Sequence, residues 1–357
     1  MHRRRVLVGL VALVAAACGV RRPESPQSDP TSDAGSPPPD EVADDTREDE
    51  PRPGDDDPPS ELPPAPDPAP PYEPVAAETH PNAKALGAAI AQAVTTYDPQ
   101  EPLEEIVARA SDGRGDRTDV EAARPLHHPD GWSRGQVLYP QFGGLTDDEC
   151  SIMAVVSQRR GLPDGSEVEE VRTVDVRLRL DGGEWVFDAF ASAGGEPVER
   201  PGDLPTEAAA VLDDDRIELP DSARWDIHRG VIDVALLDLM HRLADETDGY
   251  AVCVLESGHP INVFGTDRLS DHTRGRAVDI HRIGDHLVID DRGEGSLTDR
   301  TVAWLYDDPS EPVVGSPWAL DAFGGRSFTD AVHQDHLHVA ISRPADEGDP
   351  PDEELAP

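Results

Sequence analysis

Two short segments near the C-terminal end carry residue types that could bind a metal ion and move a proton. Ser270–Asp279 has the sequence SDHTRGRAVD, and His333–His338 has the sequence HQDHLH. A hydrolytic zinc site needs about three protein ligands and an open position for water. It also needs a group outside the ligand set that accepts a proton from that water. The two segments hold enough histidines and aspartates for both tasks.

Residue type and position assign these side chains to tasks. His272, Asp279 and His338 are the candidate zinc ligands, because imidazole nitrogens and carboxylate oxygens are common zinc donors. Asp335 is the candidate base, because it stands just before the last strand and is free to approach a metal-bound water.

Two predicted strands must position the ligands. In Arg276–Ile283 and His336–Ser342 apolar residues alternate with the candidate ligands, a period of two that is typical of strands. Val278 and Ile280 would face a core on one strand, and Leu337 and Val339 on the other. Asp279 and His338 are therefore expected on the opposite face of the same sheet.

The first segment resembles the S-x-H-x-x-G-x-A-x-D motif of the zinc D-Ala-D-Ala carboxypeptidases and related peptidoglycan peptidases, a family with a hedgehog-like zinc fold. Every fixed position is met, by Ser270, His272, Gly275, Ala277 and Asp279. The second segment resembles the family's closing D-H-x-H, in which an acidic base stands three residues before the last zinc histidine. The resemblance covers about residues 220–345 and implies the same Zn²⁺ ligands and the same base, with His336 as a second catalytic residue that supports the base or an oxyanion.

The family resemblance also implies a substrate, with one departure from the usual pattern. Members often carry a Ser-Gly-Tyr-Arg stretch whose arginine lies upstream of the first zinc histidine, whereas residues 257–260 read SGHP. Arg268 is the first candidate to meet a substrate carboxylate, with His259 and His333 as further candidates, and Ser270 is also assigned to the substrate side. The expected activity is that of a D-Ala-D-Ala carboxypeptidase or an endopeptidase of peptidoglycan cross-links. The alternative is a zinc-containing lipoprotein that binds cell-wall peptides without cleaving them.

The N-terminus is typical of an exported protein. Three arginines precede an apolar stretch that is too short to cross a bilayer and ends in small residues before Cys18. This layout predicts a lipoprotein signal over 1–17 and a lipid anchor on Cys18, which would hold the protein at the outer face of the cytoplasmic membrane or in the cell wall. An ordinary secretory signal is the alternative.

Charge and composition indicate which parts fold. With 31 Lys+Arg against 73 Asp+Glu the net charge is −42, which excludes a nucleic-acid partner because phosphates would be repelled. Residues 18–80 are rich in proline and acidic residues and predict a disordered tether, and 346–357 predict a disordered acidic tail. Between them we expect a small α+β accessory domain over 81–200 and the zinc peptidase domain over 201–345.

The fold class expected for both units is α+β, with an antiparallel sheet in the second. In the first unit, hydrophobic periodicity predicts helices and strands at Lys84–Val94, Leu103–Ala110, Ser151–Gln158, Val171–Leu180 and Glu184–Ser192. In the second unit it predicts Val231–Leu243, Tyr250–Leu255, His286–Asp290 and Leu297–Tyr306, besides the two ligand strands. Cys150 and Cys253 are compatible either with a disulfide or with two buried thiols.

Overall fold

A computed structural model of the chain describes residues 61–322 and 324–341. The predicted signal segment 1–17, the lipidation site Cys18, the tether up to residue 60 and the tail 346–357 lie outside these residues. Within the described part of the chain, no helix is both long enough and apolar enough to cross a membrane.

The N-terminal half forms an antiparallel sheet with helices on one face. Its strands follow the chain in order: β1 (Trp132–Leu145), β2 (Glu149–Gly161), β3 (Glu167–Asp181) and β4 (Glu184–Ser192). The helices are α1 (Pro81–Val94), α2 (Leu103–Ala110) and α3 (Arg117–Ala123), with a short 3₁₀ turn at Arg124–Leu126. The predicted β3–β4 hairpin is present, and Gly182 and Gly183 form its turn with positive φ angles of 64° and 92°.

No strand was predicted over the residues of β1, for a local reason. Two β-bulges interrupt its pairing with β2, between Val137 and Tyr139 and between Phe142 and Gly144. Each bulge shifts the inward-facing positions by one residue, so the alternation that marks a strand is lost. Pro140 is tolerated because β1 lies at the edge of the sheet.

The C-terminal half forms a second sheet with order β10-β9-β11-β7-β6-β5, and β8 pairs with β7. The strands are β5 (Ile217–Glu218), β6 (Tyr250–Val254), β7 (Ala277–Ile283), β8 (His286–Leu287), β9 (Val313–Gly315), β10 (Ser327–Phe328) and β11 (Leu337–Ala340). The prediction of an antiparallel sheet is correct for the centre, where β11, β7 and β6 pair antiparallel. It is wrong for the edges, because β5 pairs with β6 and β10 with β9 in parallel.

Four helices accompany this sheet: α4 (Thr206–Leu212), α5 (Asp221–His228), α6 (Val234–Thr247) and α7 (Leu297–Asp307). The predicted helix Val231–Leu243 begins later, because Asp233 caps it by accepting a hydrogen bond from the Ala235 amide at 3.0 Å. Predicted His286–Asp290 is only partly strand, since Val288–Asp290 forms a 3₁₀ turn. The core-facing residues Val278, Leu337 and Val339 join the apolar cluster with α6, as their alternation predicted.

The two sheets face each other through the faces that carry no helices. Met153 and Val155 of β2 pack against Cys253 and Val254 of β6. Thr173 Oγ1 donates a hydrogen bond to the Cys253 carbonyl at 2.5 Å. The second face of β3 is therefore covered as well: Asp175 is buried and hydrogen-bonded to Arg177 and Ser151.

The described part of the predicted tether, residues 61–80, is hydrogen-bonded to the N-terminal half of the fold. Pro63 and Pro66 accept hydrogen bonds from the side chains of Trp132 and Arg134, at 2.6 and 2.9 Å. Gln92 of α1 donates to Ala69 at 2.7 Å. Residues 61–80, which we expected in the tether, thus include backbone carbonyls that accept hydrogen bonds from side chains on β1 and α1.

The two cysteines of the described chain are separate buried thiols. Cys150 belongs to the core between the first sheet and its helices, whereas Cys253 lies between the sheets. The disulfide alternative is not realised in this structure.

Candidate metal centre

Three side-chain atoms converge in the space between the two sheets. His272 Nε2 lies 3.1 Å from Asp279 Oδ1 and 3.2 Å from His338 Nδ1, and His338 Nδ1 lies 3.0 Å from Asp279 Oδ1. A tetrahedral zinc ion with bonds of about 2.0–2.2 Å holds its ligand atoms about 3.3–3.6 Å apart. The observed triangle would have to widen by only a few tenths of an ångström to fit such an ion.

Strand pairing and one turn bring these atoms together. Asp279 of β7 and His338 of β11 are direct partners in the antiparallel register. His272 precedes β7 in a tight turn that ends at Gly275, where φ is +67°. A Cβ at Gly275 would lie 1.9 Å from the Val231 carbonyl oxygen, so only glycine allows the chain to pass here.

Hydrogen bonds from the surroundings leave the ligand atoms free for a metal. His272 Nδ1 donates to the Leu255 carbonyl at 2.5 Å, so in the neutral ring Nε2 presents a lone pair to the triangle. Gln141 of β1 donates from Nε2 to the second oxygen of Asp279 at 2.7 Å. Such partners fix the orientation of metal ligands in known sites.

His259 lies against the same triangle. Its ring stacks on that of His272, with centroids 3.9 Å apart and planes at 15°. His259, His272 and Asp279 form a group that could hold a metal ion, since their potential ligand atoms lie within 4.8 Å of one another. We place His338 in the ligand set because its Nδ1 lies only 3.0 Å from Asp279 Oδ1 and 3.2 Å from His272 Nε2. His259 Nδ1 donates to the Pro260 carbonyl at 2.7 Å, so in the neutral ring its Nε2 is the nitrogen that could bind a metal ion.

Asp335 and His336 form a buried pair next to the triangle. His336 Nδ1 donates to Asp335 Oδ1 at 2.6 Å, and His336 Nε2 lies 3.7 Å from Asp279 Oδ2. Asp335 Oδ2 accepts from the Phe142 amide at 3.2 Å and lies 2.5 Å from Lys84 Nζ. Both carboxylate oxygens of Asp335 are therefore engaged, and the edge of the pair nearest the triangle is the His336 ring.

The pKa directions follow from burial and from these contacts. Burial raises the pKa of Asp279, but His272 and His336 and the hydrogen bonds from His272 and His338 outweigh it and hold that pKa well below its ordinary value. Burial lowers the pKa of His336, yet the Asp279 and Asp335 carboxylates raise it above its ordinary value. For His259, burial and the neighbouring His272 lower the pKa well below the ordinary value.

These findings bear on the predicted substrate residues. Neutral His259 would be a poor partner for a substrate carboxylate. Ser270 is buried, and its hydroxyl accepts from the His272 amide at 3.3 Å, so it supports the ligand turn instead of facing a substrate. Arg268 is exposed on the loop before the first motif, and none of its hydrogen bonds to described residues reaches the triangle. His333 lies at the rim, with its ring 5.7 Å from that of His338 and its Nδ1 2.7 Å from Asp330 Oδ1.

Sequence reasoning missed the contribution of the first sheet. Gln141, Phe142 and Lys84 belong to the half of the chain in which no site was expected, yet each reaches Asp279 or Asp335. One signal was available: Lys84 is the single lysine among 31 basic residues.

A cleft of about 440 Å³ opens beside His259, between the end of the first sheet and the loop that carries this histidine. His259 stacks on His272 and so separates the cleft from that ligand. Arg177 and Arg229 bring positive charge to its lining, and Asp175 and Glu256 bring negative charge. Ile261 adds an apolar side chain that is 70% exposed.

Comparison of the chain with protein-family models, with curated proteins and with solved structures found no significant match.

Proposed function

We propose that this chain is an exported zinc metallopeptidase that hydrolyses D-amino-acid-containing peptide stems or cross-links of peptidoglycan, anchored to the membrane through a lipid on Cys18. The observation that carries the proposal is the convergence of His272, Asp279 and His338 within 3.2 Å of one another, beside the Asp335–His336 pair. The peptidoglycan substrate rests on the resemblance of the two motifs to the carboxypeptidase family.

The donor set fits zinc. Two imidazole nitrogens and one carboxylate oxygen are a known hydrolytic ligand set, and the buried surroundings disfavour harder ions that retain several waters. His272 and Asp279 are held by Leu255 and Gln141, so the set is oriented before a metal enters. Bound zinc would polarise the scissile carbonyl and lower the pKa of a water molecule toward about 7.

In this proposal His336 accepts the proton of the attacking water through Nε2. Asp335 accepts a hydrogen bond from the Nδ1–H of His336, which fixes the ring and stabilises the imidazolium that forms when Nε2 takes up the proton. The Asp279 and Asp335 carboxylates raise the pKa of His336, which favours its uptake of a proton. This assignment modifies the expectation that Asp335 alone is the base, because Lys84 and the Phe142 amide occupy its other oxygen.

The cleft beside His259 is the proposed binding place of the peptide. Its arginines and carboxylates suit a substrate with both charged and amide groups, and Ile261 offers an apolar contact. Of the three ligands, His338 is the most accessible, with a side chain that is 15% exposed, whereas His272 and Asp279 are covered.

The test uses purified protein and muropeptides whose products are identified by mass spectrometry, with and without a chelator. The protein should contain one zinc ion per chain, and chelation should abolish cleavage. His336→Gln should retain zinc and lose about 100-fold or more in kcat. The control is His286→Gln, which changes an exposed histidine on β8 and should cleave at the parent rate. Parent activity in His336→Gln would refute the mechanism.

A non-catalytic zinc-containing binding lipoprotein is the second candidate. The depth of the site favours it, because His272 has no exposed surface and His259 covers its ring. This candidate predicts saturable muropeptide binding and metal-dependent stability without any product after long incubation.

A further inference from the structure

The interior of the protein contains a buried lysine between two carboxylates. Lys84 Nζ lies 2.5 Å from Glu78 Oε2 and 2.5 Å from Asp335 Oδ2, and it donates to the Tyr139 hydroxyl at 3.2 Å. The side chains of Lys84 and Glu78 have no exposed surface, and that of Asp335 is 2% exposed. The three donors of the ammonium group thus have three oxygen partners.

Stability alone does not account for this cluster. Removing charges from water costs several kcal/mol per ion, and buried ion pairs can often be replaced by apolar residues without loss of stability. Glu78 alone would neutralise the ammonium charge. The second carboxylate is Asp335, whose Oδ1 at the same time accepts a hydrogen bond from His336 Nδ1 at 2.6 Å.

The contact connects the two sheets at the site. Lys84 projects from α1, which covers the first sheet, whereas Asp335 immediately precedes β11 in the second. The Phe142 amide of β1 donates to the same Asp335 oxygen at 3.2 Å. Two groups of the N-terminal half therefore hold Oδ2 of Asp335 and leave Oδ1 directed at His336.

We propose that Lys84 is a positioning residue of the hydrolytic centre, which fixes Asp335 so that the His336 ring faces the ligand triangle. The N-terminal half of the chain, outside the span that resembles the peptidase family, then completes the centre instead of only docking to it. This inference rests on the proposed function.

The experiment compares three full-length variants with the parent. Glu78→Gln keeps the Lys84–Asp335 contact and should retain most of kcat. The double variant Lys84→Met/Glu78→Gln removes the ammonium group and also the negative charge of Glu78. Glu78 is therefore not left as an unpaired charge in the interior. Its kcat should fall about 100-fold, while KM and zinc content stay at parent values. Gln92→Met, the control on α1, breaks a contact to Ala69 and should leave kcat unchanged.

A double variant with the kcat of Glu78→Gln would overturn the inference. If the double variant does not fold, Lys84→Arg keeps the charge but displaces Asp335 with a larger group. Parent kcat in Lys84→Arg would equally count against positioning.

Two measurements separate this inference from the proposed function. The exchange rate of the Phe142 amide and the NMR signal of the His336 Nδ1 proton report the Asp335 orientation whether or not peptides are cleaved. If the parent protein does not cleave muropeptides, the peptidase proposal is refuted. Unchanged exchange and an unchanged His336 signal in the double variant refute the role of Lys84.

Discussion

At the scale of single residues, the ligand triangle depends on neighbours that bind no metal themselves. Gln141 is fully buried and donates to the free oxygen of Asp279 at 2.7 Å. Leu255 fixes His272 through its carbonyl oxygen. These contacts set the direction of the ligand lone pairs, and in the proposed zinc site they would raise the affinity for the ion.

We therefore expect Gln141→Leu to weaken zinc binding by about 10–100-fold, because Asp279 loses the donor that orients it. Competition with a chromogenic chelator measures the affinity. Gln136→Leu is the matched control, since Gln136 is exposed on the same strand, β1. Equal zinc affinities for the two variants would show that the Gln141 contact has no influence on the site.

At the scale of elements, strand pairing and strand ends determine the site. Pairing of β7 with β11 places Asp279 opposite His338. The end of β4 approaches the loop that carries His259, and between them lies the cleft. The cleft is thus lined by residues from both halves of the chain.

A bulky side chain at the end of β4 should block this cleft. Ala191 is exposed and lines it, so Ala191→Trp should raise KM for muropeptides roughly 10-fold or more by occupying the peptide's place, without changing zinc content. The same substitution at Ala108, which is exposed on α2 and does not line the cleft, serves as control. If Ala191→Trp left KM unchanged, peptides would bind elsewhere.

At the scale of the whole molecule, the two sheets share one interior. Cys253 and Val254 pack on the first sheet, and Asp279 and Asp335 take hydrogen bonds from it. The domain boundary expected at about residue 200 falls between the two sheets. Polar groups of each sheet are nevertheless hydrogen-bonded to the other sheet. An isolated second sheet would expose these groups to water.

A fragment of residues 201–341 should consequently be less stable than one of residues 61–341 and should bind zinc more weakly. Loss of the Gln141 contact alone should lower the zinc affinity of the shorter fragment about 10-fold or more. Thermal unfolding and zinc titration of both fragments provide the measurement. Identical melting temperatures and affinities would mean that the second sheet is an independent domain.

Strands and the directions of their side chains could be predicted from the sequence alone. Alternation with a period of two predicted β7 and β11 and the faces of Asp279 and His338, because side-chain direction in a strand is a property of neighbouring residues. Other features became evident only in the folded chain: Asp175 is buried, residues 61–80 pack on the first sheet, and groups of that sheet bond to Asp279 and Asp335.

The physical reason is the separation of the partners along the chain. Gln141 meets Asp279 across 138 positions, and Phe142 meets Asp335 across 193. No local pattern encodes such contacts, because they depend on how two sheets pack. For the same reason Lys84 stood out in the composition only as a rare residue, and its place beside Asp335 became evident from the folded chain.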